Sequence, residues 1–398
     1  MFLRDKSIVY FLIIANLILA IACTNNTKQV HQNSFCTFDV PVVDTLLISS
    51  DYGNFKQISN NTATTDFVIL QEDDNTMFAD INQVIDAFGK YFIIDTYGSR
   101  TVVSFDHNGK PLASYGKDGN APDEYIYPWD VDVSVEYIYI LDVSQRKLLR
   151  YNHIGDYIDS KKIPFESRGF ILLNNNKILF NLEPSEDTNN YQLCITDSTL
   201  KPLKYMLCYP DKYVGGWVTN DVFLRNNNGI SYYNSPADTI YRLDYDGNLV
   251  GKRLLSFANG TIDESAKLNF VGAEQQGKLT NGMHLLNNPF ELPNGICVME
   301  VTDYSNKGAY VVTLNPGKKL HRAEKFADHM SIYDVIVPCA LSRNNQVISY
   351  LDRELAEKCY DFDMMPDSLV KALDEGNRLL VIHNIHSVSY THLRAHET

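Results

Sequence analysis

Two stretches of this chain carry one pattern, and its ending returns a third time at double the spacing. Phe92-Ile93-Ile94-Asp95, followed by Thr101-Val102-Val103-Ser104-Phe105-Asp106 and Gly109, matches Ile138-Tyr139-Ile140-Leu141-Asp142, followed by Lys147-Leu148-Leu149-Arg150-Tyr151-Asn152 and Gly155. Gly109 and Gly155 lie 46 residues apart, and Gly247, in Tyr241-Arg242-Leu243-Asp244-Tyr245-Asp246-Gly247, lies 92 further on. A fixed period in the forties, built from strand, turn and strand, is the mark of a β-propeller with one repeat per blade. The fold class expected is therefore all-β, a six-bladed β-propeller over residues 36–386. That expectation leaves the chemistry open, because propellers host binding, scaffolding and catalysis on one frame.

The blades are expected at Asn82–Tyr115, Trp129–Ile163, Gly169–Cys208, Trp217–Phe257 and Gly295–Phe326. The sixth takes Tyr333–Ile336, Gln346–Leu351 and Leu379–Asn384. A ring with an open edge invites aggregation, so a strand from the other end of the chain should close it. Cys36–Ser49 is assigned that role, completing blade 6. Asn259–Gly282 exceeds the period and reads as a lid or a decorating loop. Ser368–Asp374 reads as a short helix with Asp367 able to cap it.

The N-terminus carries Arg4 and Lys6, then an apolar run from Ile8 to Ala22 that ends beside Cys23. This is the grammar of a secretory signal, and the run is short for a membrane span, which needs about 20 apolar residues. With its small residues directly before a cysteine, it resembles a bacterial lipoprotein signal, although Ala20 stands where such signals favour Leu. The resemblance implies cleavage before Cys23 and lipid attachment there, with residues 23–35 as a tether. Loss of residues 1–22 takes the formal charge from −14 to −15, since Arg4 and Lys6 leave with Asp5. Such a balance argues against nucleic acid, whose binding rests on Lys and Arg neutralising phosphates. Cys36, Cys194, Cys208, Cys297, Cys339 and Cys359 form no C-x-x-C pair, so structural zinc is not expected, and buried free thiols are. A turn near Asp197–Leu200 would set Cys194 opposite residue 204, several positions short of Cys208.

Gly116-Lys117-Asp118-Gly119-Asn120-Ala121-Pro122-Asp123-Glu124-Tyr125, Pro128-Trp129-Asp130-Val131-Asp132-Val133 and Leu149-Arg150-Tyr151-Asn152-His153-Ile154-Gly155 together resemble an NHL-type repeat. The chain as a whole is similar to the six-bladed β-propeller lipoproteins of Gram-negative anaerobes. It departs from them at Ala121-Pro122-Asp123, where the family has a Gly-Pro-Gly-like element. The resemblance implies a lipid-anchored protein of the cell envelope, as an outer-membrane lipoprotein, with its facing left open. It also raises an enzymatic alternative, since some NHL-like propellers are lyases or hydrolases with a divalent metal at the channel mouth.

No nucleophile elbow, phosphate-cradling loop or H-E-x-x-H occurs, so no catalytic residue and no cofactor is assigned. His153, His284, His321 and His329 fall in expected turns rather than at repeated strand starts. Asp244-Tyr245-Asp246-Gly247-Asn248 opens like a calcium loop but has Leu255 where the bidentate Glu belongs, so a hairpin turn is the simpler reading. His383, His386, His392 and His396 crowd the last sixteen residues, where 387–398 reads as a non-native tail. Trp129 and Trp217 each open an expected inner strand, which sets them near one mouth of the channel, where rings stack on sugars or apolar side chains. With Glu124 and Tyr125 of the preceding loop they are the candidate ligand-binding residues. The reading is a binding module for a glycan, a peptide or an envelope protein partner, with the metal-dependent enzyme as its alternative.

Overall fold

The computed structural model describes residues 40–48, 63–215, 221–293, 295–314, 321–324, 337–360, 362 and 365–385. Two strands precede the repeats: β1 (Val42–Ile48) and β2 (Ala63–Leu70). Blade 1 is β3 (Gln83–Ala87), β4 (Lys90–Asp95), β5 (Thr101–Asp106) and β6 (Pro111–Ser114). Blade 2 is β7 (Pro128–Val133), β8 (Tyr137–Asp142), β9 (Lys147–Asn152) and β10 (Tyr157–Lys162). Blade 3 is β11 (Ser167–Leu172), β12 (Ile178–Leu182), β13 (Tyr191–Thr196) and β14 (Pro202–Cys208). Blade 4 is β15 (Phe223–Asn226), β16 (Gly229–Tyr232), β17 (Thr239–Leu243) and β18 (Leu249–Phe257). Helices α1 (Glu264–Leu268) and α2 (Phe270–Gln275) follow, and then blade 5: β19 (Met283–Leu285), β20 (Phe290–Glu291), β21 (Cys297–Asp303), β22 (Gly308–Leu314) and β23 (His321–Glu324). Blade 6 is β24 (Pro338–Leu341), β25 (Val347–Leu351) and β26 (Arg378–Ile385), with α3 (Arg353–Cys359) and α4 (Asp367–Asp374) between the last two.

These strands form six sheets, one per blade. Apolar clusters lie between consecutive blades. Phe92, Ile94 and Val102 of blade 1 pack with Val131, Ile138 and Leu149 of blade 2. Leu70, Ile348 and Leu380 of blade 6 pack with Ile93, Val103 and Phe105 of blade 1, so the ring closes through its core.

The repeat has a local cause. At each third hairpin a side-chain oxygen accepts two backbone N–H groups of its own turn: Asp106 from Asn108 and Lys110, Asn152 from Ile154 and Asp156, Asp197 from Thr199 and Lys201, Asp244 from Asp246 and Asn248. The next position must turn left-handed, and Gly109, Gly155 and Gly247 stand there with φ of 79°, 96° and 84°. Blade 3 has Leu200 at that place with φ 66°, which is why the glycine skips one period. The calcium-like Asp244 segment is thus an ordinary turn of this series. Gly109 has a second task, because a Cβ there would stand 1.9 Å from the Ile69 carbonyl oxygen of β2.

Ring closure departs from the expected assignment. Cys36–Ser49 does not complete blade 6; its described part, β1, runs parallel to β18 on the rim of blade 4, where Asp44 holds Arg253 through two bonds of 2.6 and 2.7 Å. β2 is the closing strand, paired with β26 at eight positions from Ala63↔Ile385 to Leu70↔Arg378. Length decides it: β2 matches the eight residues of β26 end to end, whereas β1 buries only Leu46 and Ile48. Blade 5 starts earlier than Gly295, since β19 and β20 both pair with β21. Tyr333–Ile336 lies outside the described residues, and β24 is the inner strand of blade 6. The expected helix is α4, with Asp367 in its first turn after Pro366 rather than as its cap.

Among the described cysteines Cys194, Cys297 and Cys339 are free and buried. Cys208 is disulfide-bonded, which corrects the expectation of free thiols throughout. Cys194 faces Tyr205 in the β13–β14 hairpin.

Candidate functional site

Every inner strand begins at one end of the ring, and the first residues of several blades converge there. Asn82, Gln83, Thr96, Trp129, Asp130, Arg168, Asp221 and Val222 line a cavity of about 20 Å³, room for about one water molecule. Helices α1 to α4 stand in the connections at the same end. The α1–α2 insertion is tied to the loop before blade 4, where the Val214 N–H donates to Leu268 O at 2.9 Å.

The rim of this mouth is aromatic. Trp129 stacks on Tyr127 with centroids 5.7 Å apart and planes 22° from parallel, and Tyr97 meets Trp129 edge-on at 6.0 Å. All three rings are part-exposed. Arg100 sits 5.7 Å from the Tyr127 ring and Arg168 5.8 Å from the Trp129 ring, with Arg168 also bonded to Glu183 at 2.9 Å. Such a surface offers ring faces for stacking and fixed cations beside them.

The floor is acidic. Asp130 accepts from the backbone N–H of Phe170 at 2.8 Å and of Val131 at 2.9 Å. The Gln83 amide nitrogen donates to Asp130 and to Asp221, at 3.2 Å each, bridging blades 1, 2 and 4. Burial pushes Asp130 up to about 7 against the Phe170 hydrogen bond, and the charges of Asp221 and Asp132 add to the shift. Burial likewise pushes Asp221 up to about 7. One step deeper, Asp132 is compensated by Arg225 through two bonds of 2.7 Å and by the Leu172 N–H at 2.7 Å. Asp130 and Asp221 have no such cation among the described residues. The Gln83 Oε1 atom is buried and accepts nothing.

Of the sequence candidates, Trp129 stands at this mouth, while Trp217 and Cys23 lie outside the described residues. Tyr125 is fully buried, its hydroxyl accepting from Val102 N at 3.2 Å, which makes it part of the blade 1–2 core rather than a ligand contact. Glu124 binds its own loop, accepting from Ala121 N at 2.9 Å and pairing with Lys117 at 3.3 Å. Tyr97, Tyr127, Gln83, Asp130, Arg168 and Asp221 were missed. The repeat phase held a signal for two of them, since Gln83 and Asp130 are 47 residues apart at the same place in their blades.

The repeated Asp95 and Asp142 bind loops: Asp95 accepts from Ala79, Asp80, Gly98 and Ser99, and Asp142 from Ile126, Ser144 and Gln145. His383 is buried on β26 with Nε2 3.2 Å from Ser349 Oγ. Among the described residues no group of three or more His, Cys, Asp or Glu side chains is arranged to hold a metal ion.

A family model described as a domain of unknown function, DUF4934, matches residues 44–382. The chain belongs to that family. No curated protein matches this DUF4934 sequence. Among solved structures it is similar to a candidate exported protein of Bacteroides fragilis, at 18% identity and a TM-score of 0.71, over 86% of this chain and 100% of that one. It is also similar to a member of the DUF4221 family from Bacteroides vulgatus, at 12% identity and a TM-score of 0.52, over 82% of this chain and 99% of that one. At these identities the likeness speaks for the propeller fold of DUF4934 alone.

Proposed function

We propose that this DUF4934 propeller is a lipid-anchored module of the cell envelope that captures a glycan or peptide ligand at its channel mouth. The observation that carries this reading is the part-exposed Tyr97, Tyr127 and Trp129 cluster set over two carboxylates, Asp130 and Asp221, that form no ion pair among the described residues. Stacking surface beside a few convergent polar groups is the usual make-up of a ligand site. Export is supported by the signal-like N-terminus ending at Cys23 and by the disulfide at Cys208, a bond that persists in oxidising compartments. The exported relative in Bacteroides agrees with that address. Among the described residues no helix is long and apolar enough to cross a membrane, and lipid on Cys23 would supply the attachment. The NHL-like lyase or hydrolase alternative needs a metal-ligating set at the mouth, and no described cluster favours it.

Glycan and peptide arrays probed with the whole chain test the capture. Binding should fall by about tenfold in Trp129→Ala, the loss expected for a stacked ring. Undiminished binding in Trp129→Ala and Tyr127→Ala would overturn the mouth as the site. Retention of Cys23→Ala in the membrane fraction would overturn the anchor.

A further inference from the structure

We propose that the end of the ring opposite the mouth rests on a lipid surface, so that the anchored propeller holds its mouth away from the membrane. The proposal rests on the anchoring at Cys23 in the reading above and adds an orientation to it. Strand direction is its first ground. Inner strands run away from the mouth, and antiparallel pairing through each blade brings the fourth strand back towards it. β1 is parallel to β18, the fourth strand of blade 4, so it also runs towards the mouth. The described chain therefore enters at the far end, where Pro41 O accepts from Lys252 N at 2.9 Å. A lipid on Cys23 would join the propeller from that end.

The far end is also where apolar side chains stand bare. The sixth residue after Asp106, Asn152, Asp197 and Asp244, which form the third hairpin turns of blades 1 to 4, is Leu112, Ile158, Leu203 and Val250 in turn. Each is the second residue of a fourth strand, and they are 45, 41, 52 and 47% exposed. Single exposed apolar residues need no explanation, but four at one level of four consecutive blades form a belt. Val135 and Ile154, both 76% exposed, add to it from turns of blade 2, and Val42 from the start of β1. Where Ile154 stands, the other three turns carry Asn108, Thr199 and Asp246. Of the exposed large hydrophobic side chains among the described residues, only Leu47, Met77 and Val214 lie towards the mouth. A belt repeated from blade to blade fits a partner that is the same all round, and a planar apolar layer is such a partner. The charges of the same turns are mixed, Lys110 and Lys201 in two of them and Asp156 and Asp246 in the others, which suits zwitterionic headgroups. These half-exposed side chains reach in shallowly, so the belt orients the chain and the lipid on Cys23 holds it.

The test places the lipidated full chain in phosphatidylcholine vesicles with plain or brominated acyl chains, the latter quenching tryptophan on contact. A Trp217→Phe background leaves Trp129 at the mouth as the one tryptophan, and its emission should be equal in the two kinds of vesicle. Leu203→Trp should add emission that is lost in the brominated vesicles, and Leu47→Trp should add emission that is kept. Tryptophan itself favours membrane interfaces, so Leu203→Trp is repeated together with Leu112→Ser and Ile158→Ser. That chain should still float with the vesicles and regain emission. The proposal is overturned if Trp129 or Leu47→Trp is quenched as strongly as Leu203→Trp, if Leu203→Trp floats unquenched, or if the serine variants leave the quenching unchanged. It is overturned as well if Cys23→Ala self-associates in sedimentation and the serine variants reverse this, because the belt is then a contact between copies. Failure of the parent to float would instead sink the anchoring reading, and the orientation with it, whereas the ligand arrays bear on capture alone.

Discussion

Asp130 and Asp221 set a pH dependence that can be read from their surroundings. Both are lifted from 3.8 to about 7 by burial, so the folded chain resists ionising them while the unfolded chain does not. Their cost is absent below pH 3.8, grows as pH rises through the interval to 7, and then levels off. The buried His284 works in the opposite sense. It is fully enclosed under Phe270 and Tyr304 and lowered from 6.5 to about 4 by burial, so its contribution is complete above pH 6.5 and fades as pH falls towards 4. Asp221→Asn removes its own share of the first dependence and leaves those of Asp130 and His284. Melting temperatures measured from pH 5 to pH 8 should show the variant gaining on the parent as pH rises to 7, with the gap constant beyond. A constant gap across the whole range would mean that Asp221 is already ionised at pH 5. Trp129 was legible in the sequence because it opens a recognisable strand after Pro128. The acidic pair was not, because Gln83 and Asp221 are 138 residues apart and meet only when the ring closes.

At the scale of elements, the hairpins were readable wherever an Asp or Asn is followed three residues on by Gly, and blade 3 hid its turn by placing buried Leu200 at the left-handed position. The two N-terminal strands were misread for a physical reason. β1 is chosen by a partner 209 residues away, since Arg253 of β18 takes both oxygens of Asp44. The same guanidinium reaches Glu291 of β20 at 2.7 Å, so one side chain joins the added strand, blade 4 and blade 5. Arg253 is 8% exposed, and its removal would leave Glu291 with Arg242, at 3.1 Å, in a poorly solvated place and would take both bonds from Asp44. Arg253→Ala should cost about 3 kcal/mol in urea unfolding, the lower end for breaking a buried pair. A loss under about 1 kcal/mol, the size of a surface pair, would show that water replaces it freely.

The whole molecule depends on a strand from one end of the chain sealing a blade built from the other. The blade count was legible because it follows from one period repeated along the sequence. Which N-terminal segment seals the ring was not, because that choice is made only when β26 presents eight residues to be covered. A chain beginning at residue 63 should therefore remain a closed monomer, while one beginning at residue 71 leaves β26 with a bare edge and should associate or aggregate. Size-exclusion chromatography of the two distinguishes them, and monomeric behaviour of the shorter chain would assign closure elsewhere. The order of the two strands has a mechanical consequence. Tension arriving from the N-terminal side meets β1 before it meets β2. Under the proposed anchoring at Cys23, β1 takes up a tug on the chain before any of it reaches the seam that keeps the ring shut.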